Sequence, residues 1–158
     1  MQPEPTEIQI CIQSSTLPFN ECAALVAIYE ATQGPDWTNK TNWLEEIDPC
    51  SWFGIRCDQG HVTEINLEYN NLNGNLPAEL DRLTQLDILN LKRSSMTELP
   101  EEIGKLVNLT ELIISNNKIT KIPSTIGQLS RLKLLNLSNN RTSTIPPEIG
   151  QLSSLRTL

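Results

Sequence analysis

The chain has 158 residues, 38% of them hydrophobic and 20% charged, with a formal net charge of −7. That length suits one domain with a continuous core, and an aromatic content of 4% makes the core aliphatic. The negative balance argues against a general affinity for phosphate backbones or anionic membranes; no stretch approaches the roughly 20 apolar residues that cross a bilayer, so neither nucleic acid nor membrane insertion is expected.

Residues 1–5 are polar and hold no basic or apolar leader region, so the chain reads as cytosolic or as a mature, processed form. Ile8-Gln9-Ile10-Cys11-Ile12 alternates with period two and is expected to form an edge strand. All four cysteines (Cys11, Cys22, Cys50 and Cys57) fall in the first 57 residues. Three pairings are open; Cys11–Cys22 and Cys50–Cys57 are favoured because each closes a short local loop. Zinc is not expected, because neither pair is a tight C-x-x-C and His61 belongs to no cluster. Pairable cysteines favour an oxidising compartment and hence a secreted or extracellular location. Asn20 is expected to cap a helix over residues 21–31 that keeps Leu25, Ile28 and Tyr29 on one side, with Gly34-Pro35 beyond its end. Trp37, Trp43 and Trp52 should pack as core and cover the first unit of the regular region. Residues 52–57 read as a strand, joined through Asp58-Gln59-Gly60-His61 to a strand over residues 62–67 as a hairpin.

From residue 62 the chain repeats the pattern L-x-x-L-x-L-x-x-N-x-L. The copies are Val62, Ile65, Leu67, Asn70, Leu72; Leu86, Leu89, Leu91, Ser94, Met96; Leu109, Leu112, Ile114, Asn117, Ile119; and Leu132, Leu135, Leu137, Asn140, Thr142. A fifth begins at Leu155, and the unit length is 24 residues, then 23. Within each unit the x-L-x-L-x stretch alternates as a strand with one buried face should. The Asn turns the chain inward, where its amide can satisfy backbone groups of neighbouring coils. Asn70, Asn117 and Asn140 should form a ladder of which Ser94 is the weak rung. Leu76-Pro77, Leu99-Pro100, Ile122-Pro123 and Ile145-Pro146 mark the bend that opens a short helical turn. Gly104, Gly127 and Gly150 are expected to end that turn. The architecture is an α/β solenoid: a concave parallel sheet, convex helical or 3₁₀ segments, and an N-terminal helical cap. The cap takes residues 1–61; residues 62–158 hold four full repeats and a partial fifth.

The cap phrases Ala24-Leu25-Val26-Ala27-Ile28-Tyr29, Asp36-Trp37, Asn42-Trp43-Leu44 and Cys50-Ser51-Trp52-Phe53-Gly54-Ile55-Arg56-Cys57 resemble the extracellular, plant-type leucine-rich-repeat family. Leu72-Asn73-Gly74-Asn75-Leu76-Pro77 is similar to that family's L-x-G-x-(L/I)-P phrase. The resemblance covers residues 20–158 and implies a leucine-rich-repeat horseshoe. Family members include receptor ectodomains, inhibitors of secreted cell-wall-degrading hydrolases and uncharacterised secreted proteins. Repeats two to four lack the Gly and resemble the intracellular L-P-x-x-I-G-x-L type, a hybrid that suggests a microbial or protist origin.

Solenoids of this family use the concave sheet, so a partner, protein or glycan, is expected on the residues between the buried leucines. These are Glu64, Asn66, Glu68 and Tyr69; Ile88, Asn90, Lys92 and Arg93; Glu111, Ile113, Ser115 and Asn116; and Leu134, Asn136, Ser138 and Asn139. Ile88, Ile113 and Leu134 would form an exposed apolar diagonal flanked by Tyr69 and Lys92-Arg93, the make-up of an interface. No catalytic reading stands: His61 sits in an expected solvent-facing turn without a nucleophile, and no cofactor is implied. A hydrolase inhibitor and a self-associating structural protein are the alternative functions. Of four sequons, Asn39 and Asn108 are the reasonable glycan sites. Leu158 falls inside a repeat, so the chain is expected either to be a piece of a longer solenoid or to dimerise end to end through Leu152, Leu155 and Leu158.

Overall fold

The computed structural model describes residues 6–158; residues 1–5, read above as polar, lie outside the described residues. The alternation at residues 8–12 does not make a strand. Thr6–Gln13 is an α-helix, α1, whose own turns satisfy the backbone groups that an unpaired strand would leave open. Cys11, buried on its inner side, is bonded to Cys22 of the next helix, and Cys50 is bonded to Cys57. The local pairing is therefore the one adopted.

Helix α2, Phe19–Ala31, begins one residue before Asn20, and Asn20 does not cap it. Pro18 occupies the cap position at φ −56° and ψ 142°, and its carbonyl accepts the N–H of Glu21 at 3.1 Å and of Cys22 at 3.2 Å. Proline fixes the φ a helix needs at its start and lacks an N–H to satisfy. Leu25, Ile28 and Tyr29 are buried as expected. The three tryptophans are buried with them: Tyr29 stacks on Trp43 at 5.7 Å, and Trp43 lies 4.9 Å from Trp37 and 4.8 Å from Trp52. Each indole N–H is satisfied by a backbone carbonyl, those of Thr32, Phe53 and Glu46, which removes the usual cost of burying indole.

The expected hairpin is present but shorter. Pro49–Ser51 is a 3₁₀ turn started by the Asp48 carboxylate, which accepts the Cys50 N–H at 2.9 Å, so strand β1 spans only Ile55–Asp58. It pairs antiparallel with β2, His61–Asn66. The connecting Gln59 and Gly60 both have positive φ, 49° and 79°, the primed turn that matches strand twist. His61, expected in a solvent-facing turn, opens β2. Its Nδ1 lies 2.6 Å from Oε1 of the buried Glu21, whose Oε2 accepts the Val62 N–H at 2.9 Å. One carboxylate thus ties α2 to the first strand of the repeats.

Each later repeat contributes one three-residue strand: β3 (Ile88–Asn90), β4 (Glu111–Ile113) and β5 (Leu134–Asn136). The five-stranded sheet runs β1-β2-β3-β4-β5, parallel from β2 onward. Its register sets Ile65, Leu89, Leu112 and Leu135 in one buried row. The opposing side holds the 3₁₀ segments Ala78–Arg82, Glu101–Lys105, Ser124–Gln128 and Pro147–Gln151, each preceded by Pro77, Pro100, Pro123 or Pro146 in an extended conformation. Gly104 and Gly127 do not end these turns; they lie inside them and are required by packing. A Cβ on Gly104 would meet the Thr125 carbonyl oxygen at 2.5 Å, and one on Gly127 the Glu148 carbonyl oxygen at 2.7 Å, so glycine lets successive 3₁₀ segments approach. Gly150 also lies inside its segment and has nothing within 4 Å.

The Asn rungs reach backward. Asn117 Oδ1 accepts the Met96 N–H at 3.1 Å while its Nδ2 donates to the Leu91 and Ile114 carbonyls. Asn140 repeats this with the Ile119 N–H and the Ile114 and Leu137 carbonyls. Asn70 has no repeat behind it and bonds the cap instead, through the N–H and carbonyl of Asn39 at 2.6 and 2.8 Å. Ser94 is too short to reach, and its buried Oγ has no partner.

The ladder and the cap disulfide each have a measurable worth. Ser94→Asn should raise the urea midpoint by about 1 kcal/mol of stability, and Asn117→Ala should cost about 3 kcal/mol by orphaning several buried backbone groups. Replacing Cys50 and Cys57 together by Ala should cost about 2–3 kcal/mol, because the loop they close is short; differential scanning calorimetry reads this directly.

Candidate functional site: the concave sheet and its flank

The register fixes the concave columns. Glu64, Ile88, Glu111 and Leu134 lie side by side, as do Asn66, Asn90, Ile113 and Asn136. Ile88, Ile113 and Leu134 are half-buried and face the same side of the sheet, alternating between the two columns. Two expected surface residues are not on the surface. Asn90 is buried: its Nδ2 donates to Glu68 Oε2 at 3.2 Å and its Oδ1 accepts the Lys92 N–H at 3.2 Å. Ser115 is buried with an unpartnered Oγ. For Asn90 the covering group is on the page: the longer Glu68 side chain of the preceding repeat lies against it.

The flank where the chain leaves each strand carries a feature that the repeat pattern conceals. Tyr69, Arg93, Asn116 and Asn139 occupy equivalent positions, and all have left-handed backbones, with φ of 57°, 57°, 57° and 55°. The bend lets the following Asn or Ser turn inward. Asn tolerates that conformation, whereas for other L-residues it costs about 1–2 kcal/mol. Asn at 116 and 139 was the available sign of it. At Tyr69 and Arg93 the side chains stack: the Arg93 guanidinium lies 4.4 Å from the Tyr69 ring centroid, and Lys92 Nζ lies 5.8 Å from it. Asn139 Nδ2 donates to Asn116 Oδ1 at 3.2 Å.

Near the cap, Phe53 and Arg56 join Glu64, Asn66, Glu68 and Tyr69 around a shallow hollow of about 440 Å³. Phe53 and Arg56 were missed because they belong to the cap, not to a repeat; Arg56 pairs with Glu64 at 3.6 Å. A second hollow, about 470 Å³, lies at the far end among Leu134, Leu137, Ile145 and Leu158. On the convex side, Asp81 hydrogen-bonds Lys105 at 2.9 Å and raises the Lys105 ammonium above its ordinary pKa.

The two glycan candidates differ in geometry. The Asn108 amide is engaged at both ends, Nδ2 to the Thr84 carbonyl and Oδ1 from Arg131, each at 2.8 Å. A sugar on Nδ2 would break the first bond. Asn39 Oδ1 accepts from the N–H and hydroxyl of Thr41, at 3.0 and 2.8 Å. Among the described residues no group of three or more His, Cys, Asp or Glu is placed to hold a metal, and no helix is long and apolar enough to cross a membrane.

Residues 61–158 match the model of a leucine-rich repeat region, and residues 20–58 match that of a leucine rich repeat N-terminal domain. Receptor-like protein 3 of Arabidopsis thaliana is 42% identical over 59 residues, which are 35% of this chain and 8% of that protein. Among solved structures, the BIR3–SERK2 complex from Arabidopsis thaliana is similar at 26% identity and a TM-score of 0.73, over 85% of this chain and 77% of that one. The plant peptide hormone receptor RGFR1, in complex with RGF2, is similar at 32% identity and a TM-score of 0.56, over 67% of this chain and 20% of that one. All three are plant proteins, which does not support the microbial or protist origin suggested by the hybrid repeat. With its repeats matched from residue 61 to residue 158 and its cap matched in front of them, the chain belongs to the leucine-rich-repeat family.

Proposed function

We propose that this chain is a non-catalytic recognition module, working in an oxidising, extracellular setting, that binds a protein partner on its concave sheet. The observation that carries the proposal is the apolar strip of Ile88, Ile113 and Leu134 on the parallel sheet, bordered by the exposed Tyr69 with Arg93 over its ring. Apolar side chains grouped on a sheet face suggest an interface, and Tyr and Arg are enriched among hot-spot residues. RGFR1, similar in fold, is a peptide hormone receptor, and the two disulfides suit an oxidising compartment.

The test is a binding screen of the labelled chain against arrayed extracellular proteins and peptides, with two substitutions on opposite faces. Ile113→Arg on the concave sheet should weaken any true partner about tenfold or more. Val107→Glu, at an exposed convex position, should leave binding unchanged. Equal losses from both, or a loss only from Val107→Glu, would place the interface elsewhere.

A second reading, self-association through the far end, is favoured by one feature. Leu134, Leu137, Ile145 and Leu158 line the second hollow, an apolar surface that a second copy could cover. Light-scattering mass across a concentration series should then show a dimer that Leu155→Glu dissolves. A wild type that stays monomeric at high concentration would end this reading.

A further inference from the structure

Charge is distributed unevenly along the solenoid. Residues 1–61 carry nine Asp or Glu against two Lys or Arg, whereas residues 112–158 carry six Lys or Arg against the single acid Glu148. A chain of net charge −7 therefore keeps a basic far end. The flank that bears the left-handed column links this end to Tyr69. Tyr69, Arg93, Asn116 and Asn139 succeed one another along it, one per repeat, with Lys92, Lys118 and Arg141 close to them in the chain. Backbone bonds hold the row in place: Tyr69 N–H to the Lys92 carbonyl at 2.9 Å, Arg93 N–H to Ser115 at 3.0 Å and Asn116 N–H to Ser138 at 2.9 Å.

These cations have no counter-ions among the described residues. The ion pairs found there, Arg56–Glu64 and Lys105–Asp81, do not involve Lys92, Arg93, Lys118 or Arg141. The Arg93 guanidinium carbon instead lies 4.4 Å from the Tyr69 ring centroid, within cation–π reach. A guanidinium held over a ring face keeps N–H donors that can receive a carboxylate with two hydrogen bonds. The backbone supplies an independent argument. Both Tyr69 and Arg93 hold a conformation that suits Asn or Gly, and the next two repeats do place Asn there. Stability alone would favour Asn at all four positions; the strained pair is instead the one that carries the aromatic ring and the guanidinium.

We propose that this flank binds an extended acidic segment of a partner protein, with Arg93 gripping one carboxylate and Lys118 and Arg141 meeting others, while the Asn116–Asn139 amides line the path between them. The assignment rests on the protein-recognition reading above and names the chemistry of the partner. A uronic-acid polymer carries the same carboxylates and is separated from it by experiment.

The experiment is fluorescence anisotropy of the full chain with a short labelled glutamate-rich peptide at low and physiological salt, and in parallel with labelled oligogalacturonate. The wild type should bind the peptide, more weakly as salt rises. Arg93→Asn should weaken binding about tenfold and, by relieving the left-handed strain, should raise the Tm. The double substitution Lys118→Gln with Arg141→Gln should also weaken it, while Lys105→Gln on the convex side should not. No peptide binding by the wild type, unchanged binding by Arg93→Asn, an equal loss from Lys105→Gln, or binding of the uronate but not the peptide would each overturn the proposal. A lower Tm for Arg93→Asn would overturn its strained-anchor basis. If the peptide fails while Ile113→Arg still abolishes capture of a partner, the flank assignment alone falls and the concave-sheet reading stands.

Discussion

A coil that spends only three residues per turn on its strand cannot bury its own leucines, and the rest of the structure is a response to that constraint. Leu89 is shielded by Ile65 on one side and Leu112 on the other, and Leu112 by Leu89 and Leu135. Stability therefore resides between neighbours, as in other solenoids, and the ends carry the burden. At the N-terminal end, helix α2 and the Tyr29–Trp37–Trp43–Trp52 group close the stack, and the buried Glu21 pins that helix to β2. Three large aromatics in a chain otherwise short of them are explained by this one surface.

Tight coiling creates a second demand, since it draws backbone N–H and carbonyl groups away from water. An Asn amide meets it compactly, having donors and an acceptor on one short arm. Asn117 and Asn140 each tie their own turn to the one before, while Asn70 ties the first repeat to the cap through Asn39. The rungs therefore join units as well as satisfying groups. Ser94, with its unpartnered hydroxyl, shows what is missing when the arm is too short.

The same inward bend sets up the flank proposed above to meet an acidic segment. To send the rung residue into the core, the residue before it must turn left-handed, and that places its side chain on the flank of the sheet. Where the residue is Asn, an amide rail results; where it is Tyr or Arg, a stacked aromatic–cation pair results. The flank positions are thus by-products of how the core is closed, which is why the left-handed residue recurs once per repeat.

Much of this was legible in the sequence. Val62 through Leu158 spell the repeat outright, because burial of one strand face and one rung per turn demands apolar residues and Asn at fixed spacing, and the cysteine spacing pointed to the pairing found. Other features depended on partners distant in the chain. Residues 8–12 alternate like a strand but form a helix, which the Cys11–Cys22 disulfide ties to α2. His61 looked like a bare turn residue because its partner Glu21 lies 40 positions away. Gly104 looked like a helix stop, when the reason for it is the backbone of Thr125 in the next repeat. Asn90 and Ser115 looked exposed but are buried, Asn90 against Glu68, 22 positions earlier. Periodicity records what each turn needs from the core, and so the sequence by itself determined the architecture; which side chains end up buried, bridged or left facing a partner is decided between turns, and only the tertiary structure brings those turns together.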